Sequence, residues 1–258
     1  MKKHLRRLFV ELALPLVLVV LLYVLSQDSK NFYFPPFAVV MQKFRALWLG
    51  PRFFSDVIPS FERLMAGYLL ACVAGIVLGV PIGMFARLRR MVEPLLEFFR
   101  AVPPVVLVPL LIMLTGFGNF MKISVIVLGA VWPILLNTVE GVKSADSVLG
   151  ETCRTYRITG WARVRHFLLP SALPQIVVGM RLGLSIAIVL MVISEMFAAM
   201  DGLGSAIIYF QRSFEIPEMW SGIVMLGFFG FALSLLFRFF EWYVLQWYHG
   251  MRETERRS

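Results

Sequence analysis

Histidine and cysteine are scarce in this chain: three of the first and two of the second in 258 residues. There is no HExxH pair and no Cys/His cluster with ligand spacing, so no metal site is expected. Cys72 falls in an apolar run and Cys153 in a polar loop, at different levels of the protein, so no disulfide is expected either. No GK[ST] follows a glycine-rich turn; Gly202-Leu-Gly204 reads as a turn, not a phosphate loop. Polar groups that could converge for catalysis are missing as well. The chain therefore reads as neither an enzyme nor a cofactor carrier.

Charge is also sparse. Only 16% of residues are Asp, Glu, Lys or Arg, against 59% hydrophobic ones, and the mean hydropathy is +0.78. That balance is too apolar for a soluble domain and places the chain in the membrane class. A bilayer is crossed by about 20 apolar residues in a helix. Six such runs stand at roughly 9–26, 64–86, 101–117, 119–139, 173–199 and 219–245, the third broken at its start by Pro103 and Pro104. The expected fold is an all-α membrane protein with six transmembrane helices. The first run follows KKHLRR and lacks a small-residue cleavage site, so it reads as a retained helix.

The net charge of +9 does not call for nucleic acid. With the N-terminus inside, the inside segments collect Lys2, Lys3, Arg6 and Arg7, then Arg87, Arg89, Arg90 and Arg100. Lys143, Arg154, Arg157, Arg163 and Arg165 follow, and Arg252, Arg256 and Arg257 complete the set. This is the excess that the positive-inside rule describes, and it puts both termini in the cytoplasm.

Along the chain, Glu11 sits beside Arg6 and Arg7 and reads as an interfacial ion pair. Residues 27–63 lie outside; there Phe37, Val40, Met41, Phe44 and Trp48 share one face of an interfacial helix that could also meet a partner. Gly67, Gly75, Gly79 and Gly83 put small residues on one face of the second span, which favours close helix packing. Asn137, after Pro133, reads as an interhelical hydrogen-bonding residue. Arg181 and Glu195 are about 21 Å apart along one helix and cannot pair with each other. Each needs its own partner: Glu195 as an anchor near the outer interface or as part of a solute path, Arg181 with a partner not identified. Arg238 can snorkel near the inner end of the last span, beside an aromatic band of Trp242, Tyr243, Trp247 and Tyr248.

The longest polar island, Asp146 to Pro170, carries the most information. The spacing predicts a short helix over 145–157 capped by Ser144, a corner at Gly160, and a second helix with Trp161, Val164 and Leu168 on one face. Pro170 ends the pair. With Arg154, Arg157, Arg163 and Arg165 it could dock a soluble protein, or simply obey topology.

The pattern of Glu151, a small pair at Thr152 and Cys153, and Leu169-Pro170 some twenty residues later resembles the EAA loop of ABC importer permeases. The usual alanines are replaced by Thr152 and Cys153, the family glycine falls on Arg157, and Phe167 stands where an aliphatic residue is usual. Four further stretches resemble the nitrate/sulfonate/taurine branch: PLLEFFRAVPP at 94–104, Gly116-Phe-Gly118, PILLNT at 133–138, and SEMFAAMDGLG at 194–204. The resemblance implies a single permease domain over 1–258, with an N-terminal part at 1–63, a core at 64–247 and a tail at 248–258. It implies an inner-membrane homodimer forming a solute path, with no bound cofactor. Glu151, Thr152, Cys153, Arg157, Gly160, Leu169 and Pro170 would then form the loop that meets cytoplasmic ATP-binding cassette subunits. An extracytoplasmic binding protein would deliver a small anion, sulfonate or vitamin precursor. An ion-coupled secondary carrier is the alternative, but the chain shows neither midplane relay charges nor internal repeats.

Overall fold

A computed structural model describes residues 17, 21, 23–27, 29–197 and 200–248. Glu11, most of the first apolar run and the basic residues of both termini lie outside the described residues. Within them the elements are helical: α1 Phe37–Trp48, α2 Ile58–Met84, α3 Ala86–Ala101, α4 Val108–Thr115, α5 Asn119–Lys143, α6 Ser147–Thr155, α7 Leu169–Phe197, α8 Leu203–Arg212 and α9 Ile216–Val244.

Among the described residues, four helical stretches are long and apolar enough to cross a membrane: Phe53–Met84, Asn119–Lys143, Gly160–Phe197 and Ile216–Val244. A fifth exists only if α3 and the segment Pro104–Thr115, bent by 79° from each other, count as one span. The single helix expected over 101–117 is therefore not formed. Val102 and Pro103 are extended, at ψ 116° and 124°, because proline excludes helical geometry from the residue before it. Helix α4 then has only eight residues, about 12 Å of rise.

Two spans start earlier than expected. A wide turn over Phe53–Val57 precedes α2, and another over Val164–Leu168 precedes α7; in each an amide reaches back five residues. Both turns are followed one residue later by proline, Pro59 and Pro170. The proline ring would crowd the carbonyl four residues behind it, and a widened turn makes room. Pro170 thus bends the helix ladder without ending it, and the expected second short helix of the loop is the first part of one 38-residue helix, Gly160–Phe197.

The core is a sandwich of α2, α5 and α7. The glycine face of α2 lies against α5: a methyl group added at Gly67, Gly75, Gly79 or Gly83 would fall within 2.7–2.8 Å of Ile126, Ile134, Thr138 or Val142, respectively. The α5–α7 seam uses the same device at Gly141, Gly179 and Gly183. Close backbone approach brings the lining side chains into dense van der Waals contact, the main source of helix association in lipid. Leu64, Met121, Ile126, Ile134 and Met191 are fully buried at these seams. Tyr68 Oη also donates across the bundle to Met180 O at 2.9 Å.

Helix α1 packs against α9. Trp48 Nε1 donates to Ser221 Oγ at 3.1 Å, Lys43 pairs with Glu218, and Phe44 meets Phe228. Its apolar face is therefore covered by the chain itself. Only 17% of the apolar window of α9 is buried, against 39–44% in the other three described spans, so α9 is the most peripheral of these four.

Candidate functional sites at the two ends of the bundle

The start of α2, the start of α5 and the end of α7 meet at one end of the bundle. There Glu195, wholly buried, accepts from Arg63 Nη1 at 2.9 Å and from the Gly204 amide at 3.0 Å. Ser60 Oγ lies 2.8 and 2.9 Å from its two oxygens and accepts the Leu203 amide at 2.9 Å. Arg63 is saturated. Nη2 donates to both Asp201 oxygens at 2.7 Å, Nη1 also reaches Asp201 O, and Nε donates to Asn119 Oδ1 at 2.7 Å. Lys122 Nζ stands 3.4 Å from Asp201 Oδ1. A third carboxylate, Asp56, accepts the Gly202 amide at 3.3 Å and pairs with Arg52, so three cations and three carboxylates balance in a site from which Arg63, Lys122 and Glu195 are all but closed to solvent.

The local sequence builds this knot. Gly202, at φ 113°, turns the chain so that the first amides of α8 point at Glu195 and Ser60, where the partial positive charge of a helix start favours a carboxylate. A methyl on Gly204 would stand 2.4 Å from Val192 O, so only glycine permits that approach. Burial pushes the Asp201 carboxyl up, but hydrogen bonding and charge from Arg63, with Lys122, outweigh it and hold the group below the usual carboxylate range.

Glu195 and Arg181 have separate partners, as their spacing required. Arg181 forms an ion pair with Glu241 of α9, on the exposed side of α7. Asn137 stands apart from both: its Nδ2 donates to Pro133 O at 2.7 Å and its Oδ1 accepts from Gln175 Nε2 at 3.0 Å. The three intramembrane polar candidates do not converge. Sequence reasoning missed Ser60, Arg63, Lys122 and Asp201. The available signal was topological: each charge sits at the end of an apolar run, and alternating spans bring those ends to one side.

At the other end, α6 hangs from the joint between α5 and α7. Asp146, not Ser144, caps it, its carboxylate accepting from the amides of Val148 and Leu149. Ser144 Oγ instead donates to Gly141 O. Cys153 is buried with Val142, Phe167 and Leu168, and Leu169 packs against the same cluster. Thr152 is exposed, its hydroxyl donating to Val148 O. Arg157 is exposed at φ 54° and Gly160 at φ 58°. Glycine suits position 157 because of this backbone conformation. Pro170 is half-buried at the start of α7.

Helix α6 has two faces. Ser147, Gly150, Glu151 and Arg154 line a cavity of about 440 Å³ between the loop and the ends of α2 and α5. Val148 and Leu149 turn outward and are exposed, as are Tyr156 and Trp161 beyond the helix. Trp161 is therefore not on the packed face with Val164 and Leu168, as its spacing had suggested. Five arginines, Arg89, Arg154, Arg157, Arg163 and Arg165, surround this end.

The family described as binding-protein-dependent transport system inner membrane component matches residues 71–248. The putative aliphatic sulfonates transport permease protein SsuC of Bacillus subtilis (strain 168) is 29% identical over 213 residues, 83% of this chain and 77% of that protein. The taurine transport system permease protein TauC of Escherichia coli (strain K12) is 28% identical over 224 residues, 84% and 81% of the two chains. In fold the chain is similar to a chain of the inward-facing MetNI methionine ABC transporter, with a TM-score of 0.58 and 23% identity over 76% of this chain and 97% of that one.

Proposed function

The chain belongs to the family of binding-protein-dependent transport system inner membrane components, and from that premise we propose that it is the translocation subunit of an ATP-driven importer of a small anion. The observation that carries the reading is the outward face of the loop. Val148, Leu149, Tyr156 and Trp161 are large, apolar and exposed beside basic side chains, on a unit joined to two core spans by breaks of only three and four residues. Exposed aromatic and aliphatic residues ringed by charge are what a protein partner buries.

A separate ATP-binding cassette subunit docks on that face, in the cytoplasm, and the chain itself hydrolyses nothing. Its movement is passed to α5 and α7 because Cys153, Phe167 and Leu168 pack the loop onto their ends. Two copies of the chain enclose the path, and an extracytoplasmic binding protein delivers the solute at the end where Glu195 lies. Both termini are cytoplasmic, in accord with the basic residues they carry. The names of the sulfonate and taurine relatives favour an anion as the solute.

The test is purification of the tagged chain from its native membranes with an ATP hydrolysis assay on what accompanies it. Leu149→Glu and Trp161→Glu alter side chains that are 52% and 70% exposed, so folding should survive. The wild-type chain should bring down an ATPase and both variants should lose it. An ATPase retained by both variants would remove this face from the interface. A folded chain that purifies alone, with uptake sensitive only to ion gradients, would replace the importer with a carrier.

A further inference from the structure

The cavity behind α6 is separate from the outward face that the proposed function uses. Its walls come from three segments: the α2–α3 corner at residues 83–89, the end of α5 at 142–145, and the loop from 146 to 168. Four cationic side chains line it, Arg89, Lys143, Arg154 and Arg163, against two carboxylates, Asp146 and Glu151. Two of these six are already engaged. Lys143 pairs with Glu140, and Asp146 accepts from two backbone amides. Arg89, Arg154 and Arg163 have no ion pair among the described residues, and Nε of Arg163 is buried with no hydrogen-bond partner.

An uncompensated guanidinium at a partly closed site costs free energy that an anion offsets through charge-assisted hydrogen bonds. Arginine's planar fork matches the oxygens of a tetrahedral oxyanion. A volume of about 440 Å³ exceeds what a lone inorganic ion fills and suits a phosphate carrying a short organic body or a hydration shell. We propose that this cavity binds a phosphate-class oxyanion, free or as the headgroup of an anionic lipid, which ties the loop to the α2–α3 corner. Because Arg89 stands on α3 while Arg154 and Arg163 stand on the loop, a bound anion crosslinks segments that otherwise meet mainly through apolar contacts.

The full-length chain, purified in detergent, would be titrated with inorganic phosphate, and with sodium chloride at matched ionic strength, while its thermal unfolding is followed. Phosphate should raise the unfolding midpoint in a saturable way that chloride does not. Arg163→Gln and Arg89→Gln, on different segments, should each weaken the apparent phosphate affinity about tenfold or more. Arg87→Gln and Arg165→Gln, which lie outside the cavity, should leave it intact. A second arm compares nanodiscs of phosphatidylcholine alone with nanodiscs containing phosphatidylglycerol. Stabilisation by phosphatidylglycerol that disappears in the same two variants assigns the site to a lipid headgroup, and phosphate saturation without lipid dependence assigns it to a free anion. The proposal is overturned if chloride matches phosphate while both lipid mixtures act alike. It is equally overturned if the stabilisation survives in both cavity variants.

Discussion

The two ends of the α2–α5–α7 sandwich solve the problem of charge next to a membrane in opposite ways. Around Glu195 every donor of Arg63 has an acceptor, the cations equal the carboxylates, and the key side chains are shut off from solvent. Around α6 arginines stand without carboxylate partners and large apolar side chains face outward. A buried ionic cluster is tolerated only when fully matched, since one missing partner leaves a desolvated charge. The first end is therefore a clasp that joins α2, α5, α7 and α8. The second end is incomplete by itself, which is the mark of a surface that meets something else.

Breaking the clasp should give the largest effect. Arg63→Ala leaves Glu195 buried without an ion-pair partner and should destabilise the chain by about 3–5 kcal/mol; Glu195→Ala leaves Arg63 and Lys122 to share Asp201 alone and should cost less, about 2–3 kcal/mol. Removing both with Arg63→Met and Glu195→Met should lose much less than the two single losses combined, because no orphan charge remains. Thermal unfolding of all variants in one detergent reads this directly. Single losses of a few tenths of a kcal/mol would mean that the clasp is not closed in the membrane.

Glycine gives the next contrast. Gly204→Ala pushes a methyl into Val192 O and the Glu195 side chain and should cost about 1–3 kcal/mol. Gly150→Ala, in the wall of the loop cavity, meets nothing closer than 3.7 Å and should instead stabilise α6 by about 0.5–1 kcal/mol. If the two substitutions shift the unfolding midpoint in the same direction, the two ends do not differ in packing as described.

Acid should also distinguish the ends, by a smaller amount. The Asp201 carboxyl is held below its unfolded value near 3.9, so its contribution is present at neutral pH and is lost as pH falls through the folded value. With its side chain 42% exposed, solvent screening keeps that contribution under about 1 kcal/mol. Unfolding midpoints taken between pH 6 and pH 3 should fall less steeply for Asp201→Asn than for the wild-type chain. Parallel curves would show that Asp201 is not held in this way.

The contrast also explains what the sequence could tell. Spans and glycine seams follow from local patterns of 3.6-residue spacing and small residues, and α2, α5 and α7 appear within a few residues of their expected places, apart from the early starts of the helical stretches that hold α2 and α7. The clasp could not be read that way. Arg63 and Glu195 are 132 residues apart, and only topology brings them together. Prolines were read unevenly: the break at Pro103 and Pro104 was legible in the sequence and is found there, while Pro170, read as a helix end, is absorbed by a wide turn inside a continuous helix. The loop's outer face was legible as a basic island, but the outward position of Trp161 was not, since the wide turn at Val164–Leu168 shifts the helical phase.

Arg157 tests the loop end most gently. Its φ of 54° places a side chain with a Cβ in the left-handed region, at a corner closed by the amide of Ile158 donating to Cys153 O at 2.8 Å. That conformation costs about 1–2 kcal/mol for a residue with a Cβ, and glycine would remove it while losing about 0.5–1 kcal/mol through a freer unfolded chain. Arg157→Gly should therefore stabilise the isolated chain slightly, by less than about 1 kcal/mol, even though it deletes a charge. If the exposed guanidinium also belongs to the docking face, the same variant should bind the ATPase more weakly while unfolding at a higher temperature. The opposite signs of those two readouts would separate the backbone role of this position from its surface role. A lower unfolding temperature would mean that the corner relies on the arginine side chain for contacts that outweigh its backbone strain.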